Sequence, residues 1–136
     1  MNIVLDTNVL IAAFIARQGV CSAVLEWCVR HHQLVTSEKV LSEFSEILAR
    51  KFHYGIEEAL QVAALLRSNM RIVKPTDLVS VCRDPDDNVI ISTALAGDAD
   101  LIITGDADLF TLKHYENVRI LTPREFLDLD TPHAGQ

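Results

Sequence analysis

Short apolar runs alternate with longer segments of helical periodicity along this chain. The runs lie at residues 3–5, 34–36, 71–74, 101–103 and 119–121, and polar residues, Pro or Gly bound most of them. The first and fourth are continuously apolar, which is typical of strands buried on both faces of a sheet. Strands that alternate with helices predict an α/β domain whose sheet is largely parallel and covered on both faces.

Apolar residues recur at three- and four-residue intervals between these runs, which predicts helices. We expect Ser37 to cap the third helix, and the segment from Thr122 to Glu125 has the pattern of a capping box that opens a short terminal helix. Gly97 is expected to end the last long helix. The helices are predicted at residues 9–16, 20–30, 37–51, 56–68 and 89–96.

The composition of this 136-residue chain is that of a globular protein, with 49% hydrophobic and 23% charged residues. The length suffices for one domain with its own core, and no apolar run approaches the ~20 residues of a membrane span. The opening segment is strand-like and lacks the features of a signal peptide, so we expect a cytoplasmic protein. Cys21, Cys28 and Cys82 have no metal-binding spacing and are expected to pack as small hydrophobic residues.

The net charge of −7 argues against tight binding of nucleic acid by the protein alone, because Lys and Arg normally make the phosphate contacts. A nucleic-acid enzyme of this charge would depend on divalent ions, or on basic surface from a partner or a second subunit. Scattered basic residues are usually solvated, but some could line an RNA path or an interface. The candidates are Arg17, Arg50, Lys51, Arg67, Arg71 and Lys74.

Acidic residues fall at the ends or edges of four apolar segments. Asp6 follows the first strand, Glu43 borders the apolar stripe of a helix, Asp87 precedes another helix, and Asp106 and Asp108 follow the strand at residues 101–103. Carboxylates gathered beside a low-dielectric core repel each other and take up protons unless a cation lies among them. Hard oxygen ligands suit magnesium or manganese.

Each of these acids also has a plain structural interpretation. Asp6 and Asp87 could be acids at the N-terminus of a helix, and Asp106 or Asp108 could belong to a turn after Gly105. Glu43 could be a solvated residue at the rim of its helix. What these interpretations leave unexplained is why four separate segments deliver acids to one edge of the predicted sheet.

Four segments, in their order along the chain, resemble the PIN-domain family. They are Ile-Val-Leu-Asp-Thr-Asn-Val-Leu at 3–10, Ser-Glu-Phe at 42–44, Arg-Asp-Pro-Asp-Asp-Asn at 83–88 and Thr-Gly-Asp-Ala-Asp-Leu at 104–109. The resemblance spans nearly the whole chain and is strongest to the toxins of prokaryotic toxin–antitoxin pairs. It implies a three-layer PIN-like domain over residues 1–129 with a central, largely parallel sheet flanked by helices, and a disordered tail at 130–136.

The resemblance implies a metal-dependent endoribonuclease that uses one or two Mg²⁺ or Mn²⁺ ions. Asn8, Thr104 and Asn88 match polar positions that orient ligands or water, and Asp84 and Asp86 are second choices. RNA as substrate, an antitoxin that covers the acidic cleft and a homodimer are expected on the same ground. The expected catalytic and metal-binding residues are Asp6, Glu43, Asp87 and Asp106, with Asp108 as the alternate to Asp106.

Two other functions remain open at this point. One is an aspartate-based phosphatase or phospho-receiver domain, since both place an Asp at the end of the first strand. The phosphatase pattern requires a second Asp two residues after the first, and this chain has Asn8 at that position. The other is a PIN-like binding module whose site is silent, an interpretation that the intact set of acids makes less attractive.

Overall fold

One six-stranded sheet forms the centre of the computed structural model, which describes residues 1–132. Its order is β3-β2-β1-β4-β6-β5, and every pairing is parallel except that of β5 with β6. The predicted, largely parallel sheet is thereby confirmed. The strands are β1 (Asn2–Leu5), β2 (Gln33–Ser37), β3 (Met70–Val73), β4 (Leu101–Ile103), β5 (His114–Tyr115) and β6 (Val118–Leu121).

Helices connect the strands and cover both faces of the sheet. No single helix among residues 1–132 is long and apolar enough to cross a membrane, whereas the helices Thr7–Ile15 and Val20–His31 reach that length and hydropathy only as a pair bent by 106°. The helices are α1 (Thr7–Ile15), α2 (Val20–His31), α3 (Glu38–Lys51), α4 (Ile56–Ser68), α5 (Pro85–Ala96), α6 (Ala107–Phe110) and α7 (Pro123–Asp130).

The burial of β1 shows why the chain adopts a three-layer arrangement. Successive side chains of a strand point to opposite faces of the sheet, yet Ile3, Val4 and Leu5 are all at most 2% exposed. Both faces of this central strand are therefore covered. The sequence pattern follows from this burial, since a strand without a solvent-facing side has no position at which a polar residue is favoured.

The order of the strands creates a crevice between β1 and β4. The chain leaves β1 toward β2 and β3 on one side, then returns to β4 on the other side. Ligands of open α/β sheets bind at such a reversal, outside the carboxyl ends of the strands. Because Leu5 is in register with Ile103, the next residues, Asp6 and Thr104, emerge side by side at this edge.

Several boundaries differ from the predicted ones for local reasons. Helix α1 begins at Thr7, and α5 begins at Pro85 because the Asp84 carboxylate accepts a hydrogen bond from the Asp86 N–H at 2.9 Å. Ser37 occupies the N-cap position of α3, but the expected capping contact is wrong. Its hydroxyl lies 2.9 Å from Thr93 Oγ1 instead of bonding to the backbone of α3. Both α6 and β5 are short elements that the pattern did not predict.

The C-terminal segment packs against α2. The capping box between Thr122 and Glu125 is present, as predicted, and opens α7. Asp130, the first residue of the predicted tail, ends this helix and accepts a hydrogen bond from Trp27 Nε1 at 2.8 Å. It also lies 2.6 Å from His32 Nε2. The rest of the predicted tail, from residue 133 onward, lies outside the described residues.

Gly97 provides a test of how closely α5 packs on the sheet. A Cβ at this position would lie 2.5 Å from Cγ1 of buried Val35 in β2, whereas a Cβ at Gly105 would meet nothing within 4 Å. We expect Gly97→Ala to lower the free energy of unfolding by about 1–3 kcal/mol, because β2 or α5 must shift. Urea unfolding followed by circular dichroism measures this, with Gly105→Ala as the matched control expected to stay within about 0.5 kcal/mol of wild type. Equal stability of both variants would contradict the close packing.

Candidate metal centre

Asp6 is held at the carboxyl end of the central strand by its neighbour across the crevice. Its backbone N–H donates to the Ile103 carbonyl at 3.0 Å, which continues the pairing of β1 with β4. The Thr104 hydroxyl donates to Asp6 Oδ2 at 2.6 Å. Asp6 also occupies the N-cap position of α1, where the backbone N–H groups of Thr7 and Asn8 lower the pKa of its carboxyl against the effect of burial.

Thr104 also fixes the backbone that carries Asp106. Its hydroxyl oxygen accepts a hydrogen bond from the Asp106 N–H at 3.0 Å while its proton goes to Asp6. Fully buried Thr104 therefore links the two strand-end aspartates through a single oxygen atom. This contact matches the orienting role expected of Thr104 from its position in the sequence.

Asp87 reaches the same point from α5. It lies in the first turn of that helix, two residues after Pro85, and is 4% exposed. Its Oδ2 atom is buried and has no hydrogen-bond partner within residues 1–132. A buried carboxylate oxygen without a donor is costly, so this atom is where a missing positive partner is most strongly indicated.

The carboxylates of Asp6, Asp87 and Asp106 converge. One oxygen from each lies within 4.8 Å of the others. Three segments that are far apart in sequence thus meet at the crevice between β1 and β4. Of the four acids expected at the site, the structure brings these three together.

Crowding and burial raise the pKa values of Asp6 and Asp87. Burial raises the pKa of Asp6, and the charge of Asp106 raises it further, against the lowering effect of the Thr104 hydrogen bond. Burial raises the pKa of Asp87 from 3.8 to about 7, with the charges of Asp106 and Asp6 contributing. A divalent cation among the oxygens would remove this repulsion, and hard carboxylate ligands suit Mg²⁺ or Mn²⁺. The residues present therefore fit the metal that the sequence implied.

Glu43 lies outside this group of three but next to it. Partial burial, followed by the charges of Asp86 and Asp6, raises the pKa of Glu43 from 4.5 to about 7. Its side chain lines a groove of about 500 Å³ that it shares with Asn8 and Asp86. Glu43 is thus an outer member of the acidic set, in a groove that is also lined by Asn8 and Asp86, which are near Asp6 and Asp87 in the sequence.

Asp108 turns away from the cluster. Its carboxylate oxygens lie 3.3 and 3.4 Å from Arg83 Nη2, and only its backbone N–H contacts Asp106, donating to Oδ1 at 2.9 Å. Asp106 is thus both the cap of α6 and a member of the cluster. No role was predicted for Arg83, although it belongs to the segment at 83–88. Its position two residues before Pro85 does not indicate that it pairs with Asp108.

The remaining polar candidates serve the surroundings of the cluster. Asn88 accepts hydrogen bonds from the Val81 and Cys82 N–H groups at 3.1 and 2.8 Å, so its amide organises the connection before α5. Asn8 is exposed and lines the groove beside Glu43. Asp84 caps α5, and Asp86 is exposed at its first turn.

Comparison with known proteins agrees with the motifs. A family model described as PIN domain matches residues 2–108, a range that includes all the acids named above. This match confirms the resemblance inferred from the sequence. A curated relative, "Uncharacterized protein MJ1680" of Methanocaldococcus jannaschii, is 31% identical over 142 residues, covering 94% of this chain and 90% of the relative.

Solved structures share the fold at low sequence identity. A chain in the crystal structure of VapBC2 from Rickettsia felis bound to a DNA fragment from their promoter has a TM-score of 0.65 and 16% identity, covering 90% of this chain and 98% of that chain. A chain of VapBC-1 from nontypeable Haemophilus influenzae has a TM-score of 0.63 and 17% identity, covering 91% and 99% respectively. These similarities confirm the α/β class and its layered, mostly parallel sheet.

The raised pKa of Asp87 predicts how stability depends on pH without metal. Because the folded-state pKa of about 7 exceeds the ordinary 3.8, the protein loses stability as pH rises between these values. In EDTA above pH 7, Asp87→Asn should therefore raise the free energy of unfolding by about 1–3 kcal/mol. The gain should shrink toward pH 3.8.

Urea unfolding in EDTA across this pH range measures the effect. Asp77→Asn is the matched control, because Asp77 is an exposed aspartate in the connection before α5 and no gain is expected from it. A pH-independent gain in Asp87→Asn, or the same gain in both variants, would contradict electrostatic crowding at the cluster.

Proposed function

Because this chain belongs to the PIN-domain family, we propose that it is a metal-dependent endoribonuclease that hydrolyses RNA phosphodiester bonds. The observation that carries the proposal is the convergence of Asp6, Asp87 and Asp106 within 4.8 Å at the crevice between β1 and β4. The buried Oδ2 of Asp87 supports it, since that atom has no hydrogen-bond partner among residues 1–132 and a cation would compensate its burial. A silent binding module would have no need to keep three mutually repelling acids.

Each acid has a role that follows from its position. Asp6, Asp87 and Asp106 would hold one or two Mg²⁺ or Mn²⁺ ions, which when bound would supply charge to a phosphodiester oxygen and lower the pKa of a water. Thr104 keeps Asp6 and the Asp106 backbone in place through its two hydrogen bonds. Glu43, whose pKa is about 7, faces the groove and would accept a proton from the attacking water.

We further infer that this nuclease is the toxin of a toxin–antitoxin pair and acts as a homodimer. The proposal is supported by the motifs of the chain and by its shared fold with chains of the VapBC structures. The antitoxin would cover the acidic cleft and offer it a basic side chain, because a cation there would relieve the same repulsion as a metal ion. Such a contact would keep the nuclease inactive until the antitoxin is removed.

Asparagine substitutions test the assignment of the ligands. We expect Asp6→Asn, Asp87→Asn and Asp106→Asn each to lower Mn²⁺-dependent cleavage of RNA by about a hundredfold or more, because each removes a charged ligand oxygen. Cleavage of labelled single-stranded RNA measures the rate, and calorimetric titration with Mn²⁺ measures affinity. Wild type that neither binds Mn²⁺ nor cleaves RNA would refute the proposal.

Asp108→Asn is the matched control for Asp106→Asn, because it changes an acid two positions away whose carboxylate faces Arg83. It should keep both the rate and the Mn²⁺ affinity within about threefold of wild type. Glu43→Gln should slow cleavage while largely keeping Mn²⁺ affinity, since Glu43 lies outside the group of three. If Asp108→Asn fails like Asp106→Asn, the choice between the two acids is wrong.

Expression in a bacterial host tests the toxin assignment separately. Induction of the wild-type chain should arrest growth, and Asp87→Asn should not, because only the former can cleave RNA. Co-expression of the product of the neighbouring gene should restore growth if that product is the antitoxin. Growth unaffected by active wild-type nuclease would refute the toxin assignment and leave the nuclease proposal standing.

A further inference from the structure

A second cavity lies at the same edge of the sheet as the aspartates. It has a volume of about 470 Å³ and lies beyond the carboxyl ends of β2 and β3, whose last residues, Ser37 and Val73, are in register. Its walls are mainly apolar. They are formed by Ile72, Val73, Pro75, Leu78 and Val89.

The polypeptide that forms this cavity is held in place. The Val79 N–H, next to Leu78, donates to Ser92 Oγ of α5 at 3.0 Å. The amide of Asn88 binds the same connection at Val81 and Cys82. The cavity is therefore bounded by a connection that is tied at several points to α5, although Leu78 itself is 66% exposed.

Two lysines lie at the rim of the cavity, whereas acids form the proposed active site. Lys39 and Lys74 line it and have no acidic partner within 4 Å among residues 1–132, while the charge of Glu38 is paired with Arg67. Two uncompensated lysines over an apolar floor in a chain of net charge −7 favour an anionic ligand that has an apolar face. A nucleotide has both features, since its base is flat and apolar on its faces and its phosphate is negative.

The cavity lies beside the groove next to the proposed active site. Lys39 lines both this cavity and the groove that contains Glu43. The two sites are also connected through α5, since Asp87 and Val89 belong to the same helix. The cavity is displaced from Asp6 by one to two strands, or about 5–10 Å across the sheet. Two neighbouring nucleotides of a single-stranded RNA can span that distance.

We propose that this cavity is a subsite for an unstacked base of single-stranded RNA next to the cleaved bond, with Lys39 and Lys74 binding the adjacent phosphates. The inference rests on the proposed ribonuclease function and adds where the substrate is held. Single-stranded RNA is recognised through bases that leave the stack and enter such pockets. Leu78, Ile72 and Val89 contact the base, so they determine which bases are accepted beside the cut.

Binding of short single-stranded RNA, measured by fluorescence anisotropy in EDTA so that no cleavage occurs, tests the subsite. Leu78→Glu and the double variant Lys39→Glu/Lys74→Glu should each weaken binding by about tenfold. Leu129→Glu and Lys113→Glu are the matched controls. Leu129 is 61% exposed on α7, and Lys113 is exposed near β5. Both controls should stay within about twofold of wild type.

Methyl NMR locates the RNA independently of activity. Added RNA should shift the methyl signals of Ile72, Leu78 and Val89 and leave that of Leu129 unchanged. Equal affinity of all variants, no shift in these methyl groups, or shifts confined to other residues would overturn the subsite. Shifts of the same methyl groups with protein concentration alone would assign the cavity to a second copy of the chain and likewise overturn it.

The two proposals fail in different ways. If RNA shifts these methyl signals but wild type with Mn²⁺ does not cleave it, the ribonuclease proposal falls and the RNA-binding cavity stands. If wild type cleaves RNA while Leu78→Glu binds and cleaves it equally well, the cavity is not a subsite and the nuclease proposal stands.

Discussion

Mutual repulsion among three buried or half-buried aspartates is the constraint on which the rest of this structure depends. Asp6 and Asp106 are held at neighbouring strand ends by the pairing of β1 with β4, and Asp87 is held by α5. The free energy that keeps these charges together comes from the core, where the strand residues are almost completely buried. Thr104 links the two strand-end acids directly, because its hydroxyl contacts both residues.

Much of the fold could be predicted because a strand buried on both faces appears in the sequence as a continuous run of apolar residues. Residues 3–5 and 101–103 are continuously apolar, and they became the central strands β1 and β4. The two elements that the sequence did not predict, α6 and β5, have four and two residues and are too short to show any periodicity. The start of α5 was placed late because Asp84, Pro85 and Asp86 look like a turn, yet the same residues form a capped first helical turn.

The sequence could predict which residues of the candidate site lie at strand ends, but not the directions of their side chains. Asp6 and Asp106 follow paired strands, so their proximity follows from topology alone. Asp108 and Asp106 lie two residues apart in one turn, and only the side-chain direction, set by the cap of α6 and by Arg83, separates them. Helical periodicity indicates the direction in which the Glu43 side chain points but not how far it extends. The sequence therefore did not predict that Glu43 lies outside the group of three aspartates.

The net charge of −7 does not describe the charge at each part of the surface, because the charges are not spread evenly. Several negative charges belong to the aspartate cluster and to Glu43, where a divalent ion would compensate them locally. Lys39 and Lys74 lie at the same sheet edge without acidic partners within 4 Å among the described residues, so the net charge of the chain does not describe the local charge there. A phosphate near the cluster responds to these nearby charges, since exposed charges farther than about 10 Å away are largely screened by salt. An acidic nuclease is therefore physically consistent where cations such as Lys39 and Lys74 lie at the sheet edge that carries the acids.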